Sequence, residues 1–203
     1  MSKLYFKYGT MGSSKTAQAL MCRFNYIQKG YNVLLLKSSI DNRFENGQSK
    51  VISRIGLEAD CIKFGPDENL IDLYSQQLVQ NRIDVVIVDE CQFAKKEQVE
   101  QLKTISHMVP VLCYGLLTNF KTEMFEGSKR LVEIADSLEE IKSVCKCGKK
   151  ATVNARLVNG KVTNSGAEIL IGAEESYESM CYWCYNDLLS KSLASEDEIE
   201  NER

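Results

Sequence analysis

An α/β fold is predicted: a parallel sheet with helices on both faces, followed by a smaller cysteine-bearing domain. Three observations predict it. Short apolar runs alternate with helical patterns along most of the chain. The first run is followed by a Gly/Ser turn that ends in Lys15-Thr16 and opens a helix. Two close cysteine pairs, Cys145/Cys147 and Cys181/Cys184, stand near the C-terminus.

Leu4 to Tyr8 is apolar enough for a strand, and Ala17 to Gln28 has the pattern of a helix that Gly30 ends. Between them lie Gly9, Thr10, Met11, Gly12, Ser13, Ser14, Lys15 and Thr16. This is close to the phosphate-binding pattern G-x-x-x-x-G-K-[ST]. In such a loop, backbone N–H groups and the positive end of the helix dipole face a bound anion. Lys15 would reach the β- and γ-phosphates, and the Thr16 hydroxyl would sit on Mg²⁺. Ser14 departs from the pattern, which prefers glycine where backbone and phosphate approach closely. The plainer alternative is a Gly/Ser turn capping an ordinary helix.

Val33 to Leu36 is a second buried-type strand. The polar stretch 38–50 reads as a loop, with Asp41 and Arg43 just past the strand's carboxyl end, where open α/β sheets bind ligands. Solvated surface charge is the alternative for those two residues. A short strand at Cys61–Phe64 and a helix at Leu70–Val79 follow. Then Ile83 to Val88 forms a buried strand that ends in Asp89-Glu90. An acidic residue there is the usual partner of a phosphate loop: Asp89 would hold Mg²⁺, and Glu90 would be free for proton transfer. An acidic pair capping the next helix is the alternative.

Lys95–His107 is predicted helical and Val109–Tyr114 a further strand. The loop behind it carries Leu116, Phe120 and Phe125, either a ring-stacking pocket or packing against the core. Residues 128–142 read as a helix or strand leading out of this domain. The two cysteine pairs suit a closed tetrahedral Cys₄ zinc site, with disulfides as the alternative. The remaining cysteines, Cys22, Cys61, Cys91 and Cys113, lie in apolar segments and read as small core residues. Ala151–Leu157 and Ala167–Ile171 read as strands joined by Asn159-Gly160, and Gly172–Tyr177 as a segment able to fold over a ligand. The expected domains are a core over 1–142, a zinc-binding domain over 143–192 and a disordered acidic tail over 193–203.

The chain has 203 residues, 44% hydrophobic and 26% charged, as suits a soluble globular protein. No apolar run approaches the roughly 20 residues of a membrane span. The N-terminus has no signal-peptide layout, so a reducing cytoplasm is expected, where clustered cysteines bind metal. The net charge of −3 comes from the tail: without residues 194–203 there remain 23 acids and 24 bases. A near-neutral body argues against a nucleic-acid protein that relies on a broad basic surface.

Taken together, the motifs over about residues 3–190 resemble the type II thymidine kinases, in particular the bacterial subgroup. Beside the loop Gly9–Thr16, the D-E-x-Q-F signature is Asp89-Glu90-Cys91-Gln92-Phe93. Cys113–Phe120, Met124–Ser128 and Ser53–Leu57 match further family segments, and Ile171–Tyr177 matches the lasso that precedes the second cysteine pair. The resemblance implies a P-loop core with a small zinc-bearing lasso domain. It implies an enzyme that transfers the γ-phosphate of ATP to the thymidine 5′-hydroxyl, giving dTMP for DNA precursor salvage. Glu90 would be the base. Residues Gly9 to Thr16 and Asp89 to Gln92, including Cys91, would bind ATP, and Thr16, Asp41 and Asp89 would lie near Mg²⁺. Arg43 would contact phosphate. Met11, Phe93, Leu116, Phe120, Phe125 and Tyr177 would enclose the nucleoside. Cys145, Cys147, Cys181 and Cys184 would hold structural zinc. Family members form homotetramers, and dTTP typically inhibits them.

Besides Ser14, Leu117 and Asn119 stand where the subgroup often has arginine and aspartate. Two alternatives follow: a kinase for a related deoxynucleoside such as deoxyuridine, or a weakly active regulatory nucleotide binder.

Overall fold

The structure is a computed structural model that describes residues 3–41, 49–166 and 176–201. In chain order the core comprises β1 (Leu4–Tyr8), α1 (Lys15–Gln28), β2 (Val33–Ser38), the hairpin strands β3 (Lys50–Ile52) and β4 (Glu58–Asp60), β5 (Ile62–Phe64), α2 (Leu70–Gln80), β6 (Val85–Asp89), a 3₁₀ turn at Cys91–Phe93, α3 (Lys96–Ile105), β7 (Val111–Gly115), α4 (Glu126–Ile134) and β8 (Ser137–Glu140). The smaller part holds β9 (Ser143–Val144), β10 (Lys150–Ala151), β11 (Val153–Val158), β12 (Lys161–Thr163), β13 (Ser176–Met180) and α5 (Tyr182–Asn201).

Six strands form one parallel sheet in the order β5-β2-β6-β7-β1-β8. Its central strands are apolar on both faces, which a parallel sheet covered by helices requires. Alternate residues of β2, β6 and β7 divide between two cores. Leu34, Leu36, Val86, Val88, Val111 and Cys113 pack with Leu70, Leu73, Val99, Leu102 and Leu131 of α2, α3 and α4. Leu35, Val85, Ile87, Leu112 and Tyr114 pack with Ala19 and Leu20 of α1. The helices thus lie on both faces, as predicted. Cys91 and Cys113 are buried core residues, and Cys22 and Cys61 pack at the edge of the second core.

Local chemistry sets the element ends. The Asn69 side chain accepts from the N–H groups of Ile71 and Asp72 and so starts α2. Gly127 opens α4 hard against the 3₁₀ turn, where a Cβ would lie 2.4 Å from the Ala94 carbonyl.

Three elements differ from expectation. Residues 128–142 divide into most of α4 and the edge strand β8, which pairs in parallel with β1 and so belongs to the main sheet. The Asn159-Gly160 turn joins β11 to β12 rather than to a strand at 167–171, a stretch outside the described residues. The acidic end expected to be disordered from residue 193 continues α5 to Asn201. Leu193, Ala194, Glu196 and Glu198 favour a helix, and neither Gly nor Pro interrupts them.

Candidate active site

The carboxyl ends of β1, β2 and β6 meet at one cleft of about 290 Å³. Its lining includes Met11, Gly12, Ser14, Lys15 and Thr16 from the first loop, Lys37 and Asp41 from the end of β2, Asp89 and Glu90 from the end of β6, Leu116 after β7, and Ser53 and Arg54 from the β3–β4 hairpin. Of the predicted phosphate, metal and acid–base residues, the structure brings Met11, Gly12, Ser14, Lys15, Thr16, Asp41, Asp89 and Glu90 together there, whereas Gly9, Thr10, Ser13, Cys91 and Gln92 do not line this cleft. Arg43 lies outside the described residues.

Lys15 is buried, and its Nζ donates to the Thr10 carbonyl at 2.7 Å and to Ser13 Oγ at 3.4 Å. Burial pulls its pKa down, while Glu90 and Asp89 act to raise it. Thr16 Oγ1 donates to Asp89 Oδ1 at 3.4 Å. Asp89 is buried at the cleft floor, and that burial, reinforced by Glu90, pushes its carboxyl up to about 7. These two oxygen donors suit a hard cation such as Mg²⁺. Lys37 Nζ pairs with Asp41 Oδ2 at 3.3 Å, both nearly buried.

Glu90 has φ 51° and ψ 39°, a left-handed conformation that costs an L-residue about 1–2 kcal/mol. Gln92 Nε2 donates to Glu90 Oε2 at 2.5 Å, and Gln92 Oε1 accepts from the Leu116 N–H at 3.0 Å. Gln92 is therefore a buried brace behind the carboxylate rather than part of the cleft wall. It needs Gly115 beside it, since a Cβ there would lie 2.6 Å from Gln92 Oε1. Cys91 points into the core.

The predicted nucleoside residues divide. Met11 and Leu116 line the cleft. Phe93 and Phe125 meet edge to face at 5.8 Å. Phe120 is buried beneath the Arg156 guanidinium, 3.7 Å from its ring centre. Arg156 also donates through Nε and Nη2 to the Tyr177 hydroxyl at 3.0 and 2.7 Å. Leu117 packs against the core, and Asn119 Oδ1 accepts from the N–H groups of Lys121 and Glu123. Neither departure from the subgroup lines the cleft.

Lys37, Asn154 and Arg156 belong to none of the sequence motifs, and Arg54 enters only as part of the Ser53–Leu57 segment. Lys37 had a signal: a lysine closing an apolar parallel strand. Asn154 and Arg156 alternate with apolar residues along their strand, a pattern that ordinarily marks a solvated side, yet they are 2% and 1% exposed.

The sulfurs of Cys145, Cys147, Cys181 and Cys184 all lie within 4.8 Å of one another, and none forms a disulfide. Hydrogen bonds from the Cys147 and Cys181 backbone draw the Cys145 thiol down to about 6. Side-chain hydrogen bonds with Cys181, then Cys147 and Cys145, push the Cys184 thiol up to about 12. Four thiols this close fit a tetrahedral cation such as zinc.

A parallel α/β sheet, a Lys-Thr loop and an acidic strand end opposite it form the arrangement that suits a phosphotransferase. The family model described as thymidine kinase matches residues 2–185. The chain belongs to the thymidine kinase family. It is 45% identical over 184 residues to the thymidine kinase of Shewanella oneidensis, covering 89% of this chain and 95% of that one. It is 44% identical over 190 residues to that of Haemophilus influenzae, covering 92% and 97%. It is 45% identical over 184 residues to that of Zymomonas mobilis, covering 89% and 94%.

Proposed function

We propose that this enzyme phosphorylates thymidine at its 5′-hydroxyl with ATP, using Glu90 as general base. The observation that carries this reading is that a carboxylate braced by Gln92 shares one cleft with the Lys15-Thr16 loop. Phosphoryl transfer needs chiefly positioning and charge neutralisation.

In this mechanism the loop Gly9–Thr16 cradles the triphosphate, and Lys15 leaves the Thr10 carbonyl for the β- and γ-phosphates. Thr16 and Asp89 would hold Mg²⁺, with Asp41 nearby, and the cation would supply positive charge there. Met11, Leu116, the Phe93–Phe125 pair, Phe120 and Tyr177 enclose the nucleoside and exclude water. Arg156 fixes Phe120 and Tyr177 relative to each other. Glu90 accepts the proton of the attacking hydroxyl. The four cysteines hold zinc as a structural ion, in the reducing cytoplasm where thiols persist.

A molecule with both a thymidine end and a triphosphate end suits this site, so dTTP is the proposed feedback inhibitor. The proposed assembly is a homotetramer. It is supported by an uncovered apolar stripe on α1, formed by Met21, Phe24 and Ile27 and extended by Tyr31.

The test is turnover of ATP and thymidine to dTMP by the parent and by Glu90→Gln. Loss of the base should lower kcat by about 10²- to 10⁴-fold. Equal turnover by both would remove Glu90 from that role, and no dTMP from the parent would overturn the reaction itself.

A further inference from the structure

The small domain grips the phosphate loop directly. Thr10 Oγ1 is hydrogen-bonded to Ser143 Oγ. The Met11 N–H donates to Asn154 Oδ1 at 2.7 Å, and the Ser179 hydroxyl donates to the Met11 carbonyl. Three strands, β9, β11 and β13, thus each send one side chain to two adjacent loop residues. Asn154 and Ser179 are directly paired across β11 and β13, so they act from one face of one sheet.

The same contacts reach Lys15. Its Nζ donates to the Thr10 carbonyl, and the Thr10 side chain is the group that Ser143 holds. Displacing Thr10 therefore displaces the loop backbone from which Lys15 departs to meet phosphate. Met11 has both backbone polar groups committed to the small domain, so it is a fixed point of the loop rather than a phosphate-facing amide.

The serines are also placed by the thiol cluster. Ser143 stands two residues before Cys145, and Ser179 two residues before Cys181. Each thiol pair anchors the end of a strand that presents one of these hydroxyls.

We propose that Ser143, Asn154 and Ser179 are positioning residues for ATP: the cysteine-bearing domain sets the shape of the phosphate loop. This rests on the reading that Gly9–Thr16 holds the triphosphate. It assigns the domain a part in nucleotide binding, in addition to enclosing the nucleoside.

The experiment compares Ser143→Ala, Ser179→Ala and the double variant with the parent in steady-state kinetics. KM for ATP should rise about tenfold in the double variant, the scale of losing one to two well-formed hydrogen bonds, while KM for thymidine stays within about twofold. Ser179→Thr keeps the hydroxyl and should restore KM for ATP. Asn154→Ala should raise both KM values, because Asn154 Nδ2 also donates to the Thr118 carbonyl at 3.0 Å, in the loop that carries Phe120. Far-UV circular dichroism and the thermal midpoint report whether each variant stays folded. Parental KM for ATP in the double variant, even with a lowered melting temperature, would make these contacts fold staples and overturn the proposal. Lys15→Ala is the control on the underlying reading. If it leaves KM for ATP unchanged, the phosphate-loop assignment itself fails.

Discussion

Ser14 holds φ 66° and ψ 23°, the left-handed region, at the position where a phosphate loop prefers glycine. The serine keeps the glycine-type backbone and carries its steric cost, about 1–2 kcal/mol for an L-residue. Its side chain caps nothing in α1, so no hydrogen bond offsets that cost. Ser14→Gly should therefore stabilise the fold. The gain is on the order of 1 kcal/mol, after subtracting the roughly 0.5–1 kcal/mol of extra chain entropy that glycine loses on folding. Urea unfolding measures it, and ATP affinity should rise in the same variant because the Cβ facing the cleft is gone. Equal stability of parent and variant would mean that the loop accommodates serine without strain. Asn119 is a milder departure. Its side-chain oxygen accepts two backbone N–H groups in its own loop, a task that aspartate would perform equally well.

At the scale of the element, β6 shows how a strand places a costly group. Its five residues are all buried between β2 and β7, so the carboxylate at its end is buried too. Burial first, then Glu90, pushes Asp89 up to about 7, against the Thr16 hydrogen bond and Lys15, which favour the charge. An acid whose folded pKa is raised binds its proton more tightly folded than unfolded. Its contribution is therefore present at low pH and is lost as pH rises from about 4, the unfolded value, through about 7. Asp89→Asn removes that loss. Thermal midpoints of parent and variant should converge near pH 4, and the variant should melt higher at pH 8, while its Mg²⁺-dependent turnover collapses. A variant no more stable than the parent at pH 8 would show that the charged carboxylate is fully compensated within the fold. Strand β11 makes a related point: Val153, Ala155 and Leu157 face the small core, while Asn154 and Arg156 face the phosphate loop and Phe120. Both faces are covered, so its polar residues are working contacts rather than a solvated side.

For the whole molecule, the uncovered stripe on α1 is one apolar surface that a single chain leaves exposed. Met21, Phe24 and Ile27 recur at a spacing of three residues and are all exposed. A second copy that buries this stripe is the proposed route to the tetramer. Phe24→Glu would put a charge at its centre and should shift the sedimentation of the enzyme to a smaller species, with the far-UV spectrum unchanged. A parent that already sediments as a monomer at micromolar concentration would remove the assembly from the proposal.

The sequence by itself determined the Gly/Ser turn between β1 and α1, the apolar strands, the Asp89-Glu90 strand end and the four clustered cysteines. Each of these is written in a few neighbouring residues, where periodicity, turn chemistry and ligand spacing act locally. It determined less about how the parts meet. The edge strand β8 is too short to distinguish from helix by pattern. Gln92 reads as one more member of a motif until its amide is seen between Glu90 and Leu116. Only the tertiary structure decided that Asn154 and Ser179 hold Met11, from 143 and 168 residues along the chain. A buried polar side chain is stabilised by its partner, and when that partner is so distant no local pattern records it.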